Sequence, residues 1–204
     1  MLRVSDLSVA RGGRRILSDL SFEVSAGEAL ILRGANGVGK TSLLRTLAGL
    51  QSSVSGQVEY AEDTAAYASH ADGVKATLSV TENLAFWAQT YGETLGPSVF
   101  KRFDLEDLRD RAAGTLSAGQ KRRVGLARLA VLNRPLWLLD EPTVSLDRFS
   151  VKLFEDMLTA DHLAKGGAAV IATHIDLDIP ARTLDLDAFA TDTPLDADTD
   201  EAFL

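Results

Sequence analysis

Residues 34–41 read Gly34-Ala35-Asn36-Gly37-Val38-Gly39-Lys40-Thr41. This order fits the phosphate-loop pattern G-x-x-x-x-G-K-[ST]. Its glycines let the backbone curl so that N–H groups point inward and form an anion nest. A helix opening at the loop adds its positive end. The chemistry suited to such a loop is the binding of ATP. Lys40 puts a point charge against the β- and γ-phosphates, and Thr41 offers a hydroxyl to Mg²⁺. The contact set extends to Ser42. A glycine-rich turn in an unrelated domain is the plain alternative. A short apolar run before the loop (Ala29 to Leu32) and a helical pattern after it (Lys40 to Leu47) favour the phosphate loop.

Two acids follow an apolar run in Leu136-Trp137-Leu138-Leu139-Asp140-Glu141. Burying acids is costly unless they are paired or liganded. At the C-terminal edge of a parallel sheet they would sit where nucleotides bind. Asp140 suits the Mg²⁺ shell, and Glu141 suits a general base acting on water. By itself the pair could equally be a strand running out into solvent. The upstream phosphate loop makes the chemical reading the stronger one.

Leu116-Ser117-Ala118-Gly119-Gln120 precedes Lys121-Arg122-Arg123. Ser117 and Gln120 have capping-box form, so a helix starts here with glycine close by. Such a terminus can hold a phosphate. Two phosphate-binding helix ends in one chain imply two anions, or one anion held between two chains.

The elements that must carry these residues alternate. Leu2 to Val9 and Ser21 to Val24 are predicted as strands, as are Ala29 to Leu32, Gln57 to Tyr60 and Ala65 to Ser69. Ser79-Val80-Thr81-Glu82 caps a helix to about Tyr91, and Val99 to Arg111 suggests short helices. A helix over Ser117 to Leu132 leads to strand Leu136 to Leu139, helix Asp147 to Leu163, strand Ala168 to Ala172 and a last strand over Thr183 to Leu186. The fold class is α/β with a mainly parallel core sheet. The 204 residues suit one domain, 1–204, with a helical part over about 76–133 and an acidic tail over about 187–204.

The net charge is −8, which argues against a nucleic-acid binder. Residues 181–204 hold seven acids and only Arg182 as a base, so the rest of the chain is close to neutral. That tail reads as a solvated, partly disordered end. Cysteine is absent, which excludes disulfides and thiolate metal sites. His70, His162 and His174 lie too far apart in sequence to suggest zinc. No apolar run approaches the roughly 20 residues of a membrane span, and Met1 to Ala10 reads as a strand rather than a secretory signal.

The chain resembles the ABC ATPase family. L-S-A-G-Q at 116–120 is a one-residue variant of that family's L-S-G-G-Q signature. The resemblance implies an ABC cassette of the P-loop NTPase fold, with a mainly parallel core, an antiparallel β subdomain and a short helical subdomain. It implies a head-to-tail homodimer, in which Ser117 and Gly119, with Gln120, meet the γ-phosphate held by the other copy. Val144-Ser145-Leu146-Asp147 resembles the D-loop, and His174 stands at the switch histidine. Two positions depart from the family pattern. Arg11 stands where an aromatic usually stacks on adenine; a guanidinium can also stack, or it is a surface arginine in a turn. Ala71 stands at the Q-loop glutamine, so that His70 or Asp72 substitutes, or coupling is altered.

Residues 69–84 and 116–129 are similar to the haem-exporter ATP-binding subunits of cytochrome c maturation, the CcmA type. That resemblance implies membrane partners of the CcmB and CcmC type, the haem chaperone CcmE as an indirect partner, and a peripheral position on the cytoplasmic face of a bacterial inner membrane. It assigns Thr81 to Arg111 to contact with the membrane subunits. Phe86 and Trp87 in that stretch are either packing or contact residues. Two other readings remain: an ATP-binding module with little hydrolysis, which Ala71 leaves open, and an ATPase acting on DNA or ribosomes, which the charge and the lack of long insertions oppose.

Overall fold

The computed structural model describes residues 1–195. The chain starts with a hairpin of β1 (Leu2–Arg11) and β2 (Arg14–Val24), then β3 (Ala29–Arg33), α1 (Lys40–Leu47), β4 (Ser55–Glu59) and β5 (Ala65–Ala68). Three helices follow: α2 (Val80–Thr90), α3 (Ser98–Arg102) and α4 (Ala118–Leu132). The remainder is β6 (Leu136–Asp140), α5 (Arg148–Asp156), β7 (Ala168–Ala172), β8 (Arg182–Asp185) and β9 (Ala190–Pro194).

Two sheets result. One is antiparallel with strand order β4-β1-β2-β9; the other runs β5-β6-β7-β3-β8 and is parallel throughout. Strands buried on both faces are continuous apolar runs, as β6 and β7 are. Side chains still alternate between faces. Leu136 and Leu138 of β6 point with Val170 into a core shared with Leu17, Leu43 and Leu47. Trp137 and Leu139 point the other way with Ile171, into a core shared with α2, α3 and α4. The central sheet thus has the antiparallel sheet and α1 on one side and the helices on the other.

Both capping boxes form. The Ser79 hydroxyl accepts from the Glu82 N–H, and Glu82 accepts from the Ser79 N–H at 2.7 Å. Ser117 and Gln120 do the same at the start of α4, at 2.9 and 3.2 Å.

Apart from shifted bounds, such as β2 running Arg14–Val24 where Ser21 to Val24 was expected, the structure departs from the sequence expectations in two elements. Residues 187–194 are largely exposed, as expected, but they are not a disordered end. A 3₁₀ turn over Leu186–Phe189 leads into β9, which pairs with β2, and Arg14 forms an ion pair with Asp192. Asp196, Asp198, Asp200 and Glu201 lie outside the described residues. The helix expected over 147–163 is not uniform either. After α5 the chain makes a π-helical turn over Met157–His162 and a 3₁₀ turn over Leu163–Lys165. His162 lies flat on Trp137, with ring centroids 3.7 Å apart, and its Nε2 is 3.0 Å from the Ala168 carbonyl.

Burial holds the His162 imidazole below its ordinary value of 6.5, against the opposing bond with Ala168. The folded chain therefore keeps this ring neutral while the unfolded chain takes up a proton as pH falls through about 6.5. The associated stability is present above that pH and is lost below it, toward the folded value. Urea unfolding at several pH values checks this: His162→Gln is expected to flatten the fall in stability between about pH 7.5 and 5.5.

Candidate functional site

The end of β3 delivers the phosphate loop. Gly39, the residue that opens α1, has φ +124°, and a Cβ there would stand 3.0 Å from Ile16 Cδ1. A side chain would be both strained and blocked, so glycine is required where the loop turns against β2. Lys40 is buried, and its Nζ donates to the carbonyls of Gly34 at 2.7 Å and Ala35 at 3.2 Å. The ammonium therefore lies across its own loop.

The parallel register brings the acids to this loop. Asp140 at the end of β6 pairs with Ala172 of β7. Thr41 Oγ1 donates to Asp140 Oδ1 at 3.2 Å. The second oxygen, Oδ2, is buried without a hydrogen-bond partner. A buried carboxylate oxygen left open beside a hydroxyl fits a hard cation with oxygen ligands. Among the described residues no group of three or more His, Cys, Asp or Glu gathers around a metal position. A cation here would therefore be held in part by substrate phosphates and water, as is usual for Mg²⁺. Burial, with the Asp140 charge nearby, pushes the Tyr67 phenol up to about 12.

Glu141 has φ +51°, a strained region for a residue with a side chain. Such a conformation persists only where its surroundings fix it. The Glu141 N–H donates to Ala172 O at 2.8 Å. Its Oε1 is 3.1 Å from His174 Nε2. His174 is itself held by a residue the sequence reading missed. Arg33, at the end of β3, donates to Thr173 O at 2.8 Å and to Ile175 O at 2.9 Å, the carbonyls flanking His174.

A cleft of about 210 Å³ collects these groups. Its walls are Arg11, Asn36, Gly37, Gly39, Lys40, Thr41, Ser42, Asp140, Glu141 and His174. Arg11 is exposed at the end of β1 and donates to Gly37 O at 3.1 Å, a contact compatible with either of its two sequence readings. Gly34, Ala35 and Val38 belong to the loop without lining the cleft; the Ala35 N–H donates to Asp187 at 2.9 Å, within the segment expected to be a solvated end. Ser117, Gly119 and Gln120 do not line it either. They open α4, and a Cβ on Gly119 would lie 3.0 Å from Ser145 O. The stretch after β5 is also apart from the cleft: Asp72 pairs with Arg122 at 3.2 Å, and His70 is exposed.

The surface has two apolar features near these elements. Val144, Phe149 and Ile175 are exposed beside Glu141 and His174 in sequence. Phe86 on α2 and Tyr91 just past its end are exposed, while Phe100 and Phe103 are core.

A parallel sheet that sets a phosphate loop, a strand-end acid pair and a histidine in one cleft defines a P-loop ATPase of the ABC class. The ABC transporter family model matches residues 17–144. The chain is 58% identical to "Cytochrome c biogenesis ATP-binding export protein CcmA" of Ruegeria pomeroyi, over 100% of this chain and 99% of that one. It is 60% identical to the protein of the same description from Paracoccus denitrificans, over 93% and 90% of the two chains. The chain belongs to the CcmA family of ABC transporter ATP-binding proteins. An ABC transporter ATP-binding protein from Pyrococcus furiosus shares the fold, with a TM-score of 0.83 at 23% identity over 93% of this chain and 99% of that one.

Proposed function

We propose that the chain is the ATP-hydrolysing subunit of an ABC system for cytochrome c maturation, driving haem export or release of haem-loaded CcmE. One domain, 1–204, would form the cassette, with the helical subdomain over about 76–133. Similarity to CcmA proteins over the whole chain supports this reading. The exposed Phe86 and Tyr91 suit contact with membrane subunits of the CcmB and CcmC type. Among the described residues no helix is long and apolar enough to cross a membrane, in keeping with a peripheral subunit on the cytoplasmic face.

In this reading the loop Gly34–Ser42 holds the ATP phosphates and Lys40 offsets their charge. Thr41 and Asp140 would hold Mg²⁺, which supplies charge neutralisation across the phosphates when bound. Glu141 orients the attacking water and takes its proton. His174, within reach of Glu141, stabilises charge at the γ-phosphate. Arg11 stands at the nucleoside side of the loop.

The observation that carries the dimer is the position of the α4 terminus outside its own chain's cleft. The first N–H groups of a helix have no internal partners. In a head-to-tail pair Ser117, Gly119 and Gln120 would turn this terminus toward the other copy's phosphate, and the exposed Val144, Phe149 and Ile175 would be covered. The test combines two substitutions. Glu141→Gln with ATP is expected to form a stable dimer by light scattering. Adding Ser117→Arg is expected to abolish that dimer while each chain still binds ATP. A dimer that survives Ser117→Arg would sink the shared-site reading.

A further inference from the structure

Arg122 follows the signature on α4, and its side chain is only 4% exposed. Its guanidinium joins two segments that are distant in sequence. Toward the end of β6, Nε donates to Pro142 O at 2.9 Å and Nη2 to Glu141 O at 2.6 Å. Toward the loop after β5, Nη1 donates to Ser69 O at 3.0 Å and meets Asp72 Oδ1 at 3.2 Å. Close packing supports this arrangement. A Cβ on Gly125, one turn further along α4, would lie 2.9 Å from Asp72 O.

From this geometry we infer that Arg122 is a positioning residue for Glu141. The inference rests on the reading of Glu141 as the base. Glu141 is held at φ +51°, a sparsely populated conformation that must be fixed from outside. Its N–H is fixed by Ala172 and its carbonyl by Arg122. Asp72 balances the guanidinium charge and fixes its plane. A buried arginine without its carboxylate is costly, so the loop 69–72 and the aim of Glu141 are set together. The same arginine lies on the helix opened by Ser117. A displacement of either the loop or that helix is therefore passed to the Glu141 backbone through one rigid, planar group.

Lysine is a point charge on a flexible stem and cannot reproduce this fork. The experiment measures steady-state ATP hydrolysis and ATP binding in the chain assembled with its membrane partners, for Arg122→Lys, Arg122→Gln and Asp72→Asn. Misplacing a reacting group by about an ångström can cost about a hundredfold. Both Arg122 variants are expected to lose about ten- to a hundredfold in kcat with KM for ATP within about threefold of the parent. Arg122→Lys should retain more activity than Arg122→Gln, and Asp72→Asn should lose about three- to tenfold. Parental kcat in the Arg122 variants, or a loss confined to KM, would overturn the inference. Where both Arg122 variants fail to fold, Asp72→Asn decides, and a kcat within about twofold of the parent overturns it. Glu141→Gln run alongside separates the two readings. If it keeps parental turnover, the assignment of the base fails; if it is inactive while Arg122→Lys is fully active, only the positioning role fails.

Discussion

Glu141→Gln is expected to lower ATP turnover by about two to four orders of magnitude, the usual range for removing a general base. ATP binding should remain. The amide has the size and shape of the carboxylate, so the strained backbone at φ +51° and the bond to Ala172 O have no reason to change. What is lost is the proton acceptor. The contact with His174 Nε2, now 3.1 Å from a carboxylate oxygen, would be weakened rather than broken, because the amide oxygen still accepts. Phosphate release in the assembled complex, measured beside equilibrium ATP binding, checks both halves. Turnover within a few-fold of the parent would remove Glu141 from the chemistry.

Lys40→Met should act one step earlier. The ammonium is buried and held by the carbonyls of Gly34 and Ala35, so its charge is already placed at the loop. Methionine fills similar volume but donates nothing. Hydrogen bonds to charged groups are worth about 1.5–3 kcal/mol each. Losing one of them weakens ATP binding by about ten- to a hundred-and-fiftyfold. Hydrolysis should be undetectable at ATP concentrations that saturate the parent. Titration with a fluorescent ATP analogue reads the affinity, and circular dichroism shows whether the fold is kept. A variant that binds ATP like the parent would show that the backbone nest suffices alone.

The features legible in the sequence were those whose causes are local. The phosphate loop is a contiguous run of glycines, lysine and threonine, and both capping boxes lie within four residues. The buried strands β6 and β7 are unbroken apolar runs. Features built from distant partners were not legible. Arg122 reads as one base in a basic run, because its partners lie 19, 20, 50 and 53 residues away. Arg33 likewise reads only as the residue before the loop; the carbonyls it holds come from just past the end of β7, about 140 residues on. The sequence Ala190-Thr191-Asp192-Thr193-Pro194 shows no apolar alternation. Its strand is made by backbone pairing with β2 and by Arg14, 178 residues from Asp192. Counting acids in that region gave its charge and its exposure but not the strand that β2 imposes on it. The change of helical pitch at Met157–His162 has no local signal either; it ends where His162 stacks on Trp137, a partner distant in sequence.

The order of strands has a consequence for synthesis on the ribosome. The phosphate loop follows β3, yet both neighbours of β3 in the sheet, β7 and β8, are made more than a hundred residues later. β2 likewise waits for β9. Long-range pairings of this kind close late. A chain still emerging therefore carries the whole glycine motif without the strands that brace it, and the strand-end acids have no β7 beside them. The nucleotide cleft is completed only once β7 and the segment through His174 have been made, long after the phosphate loop that forms its floor.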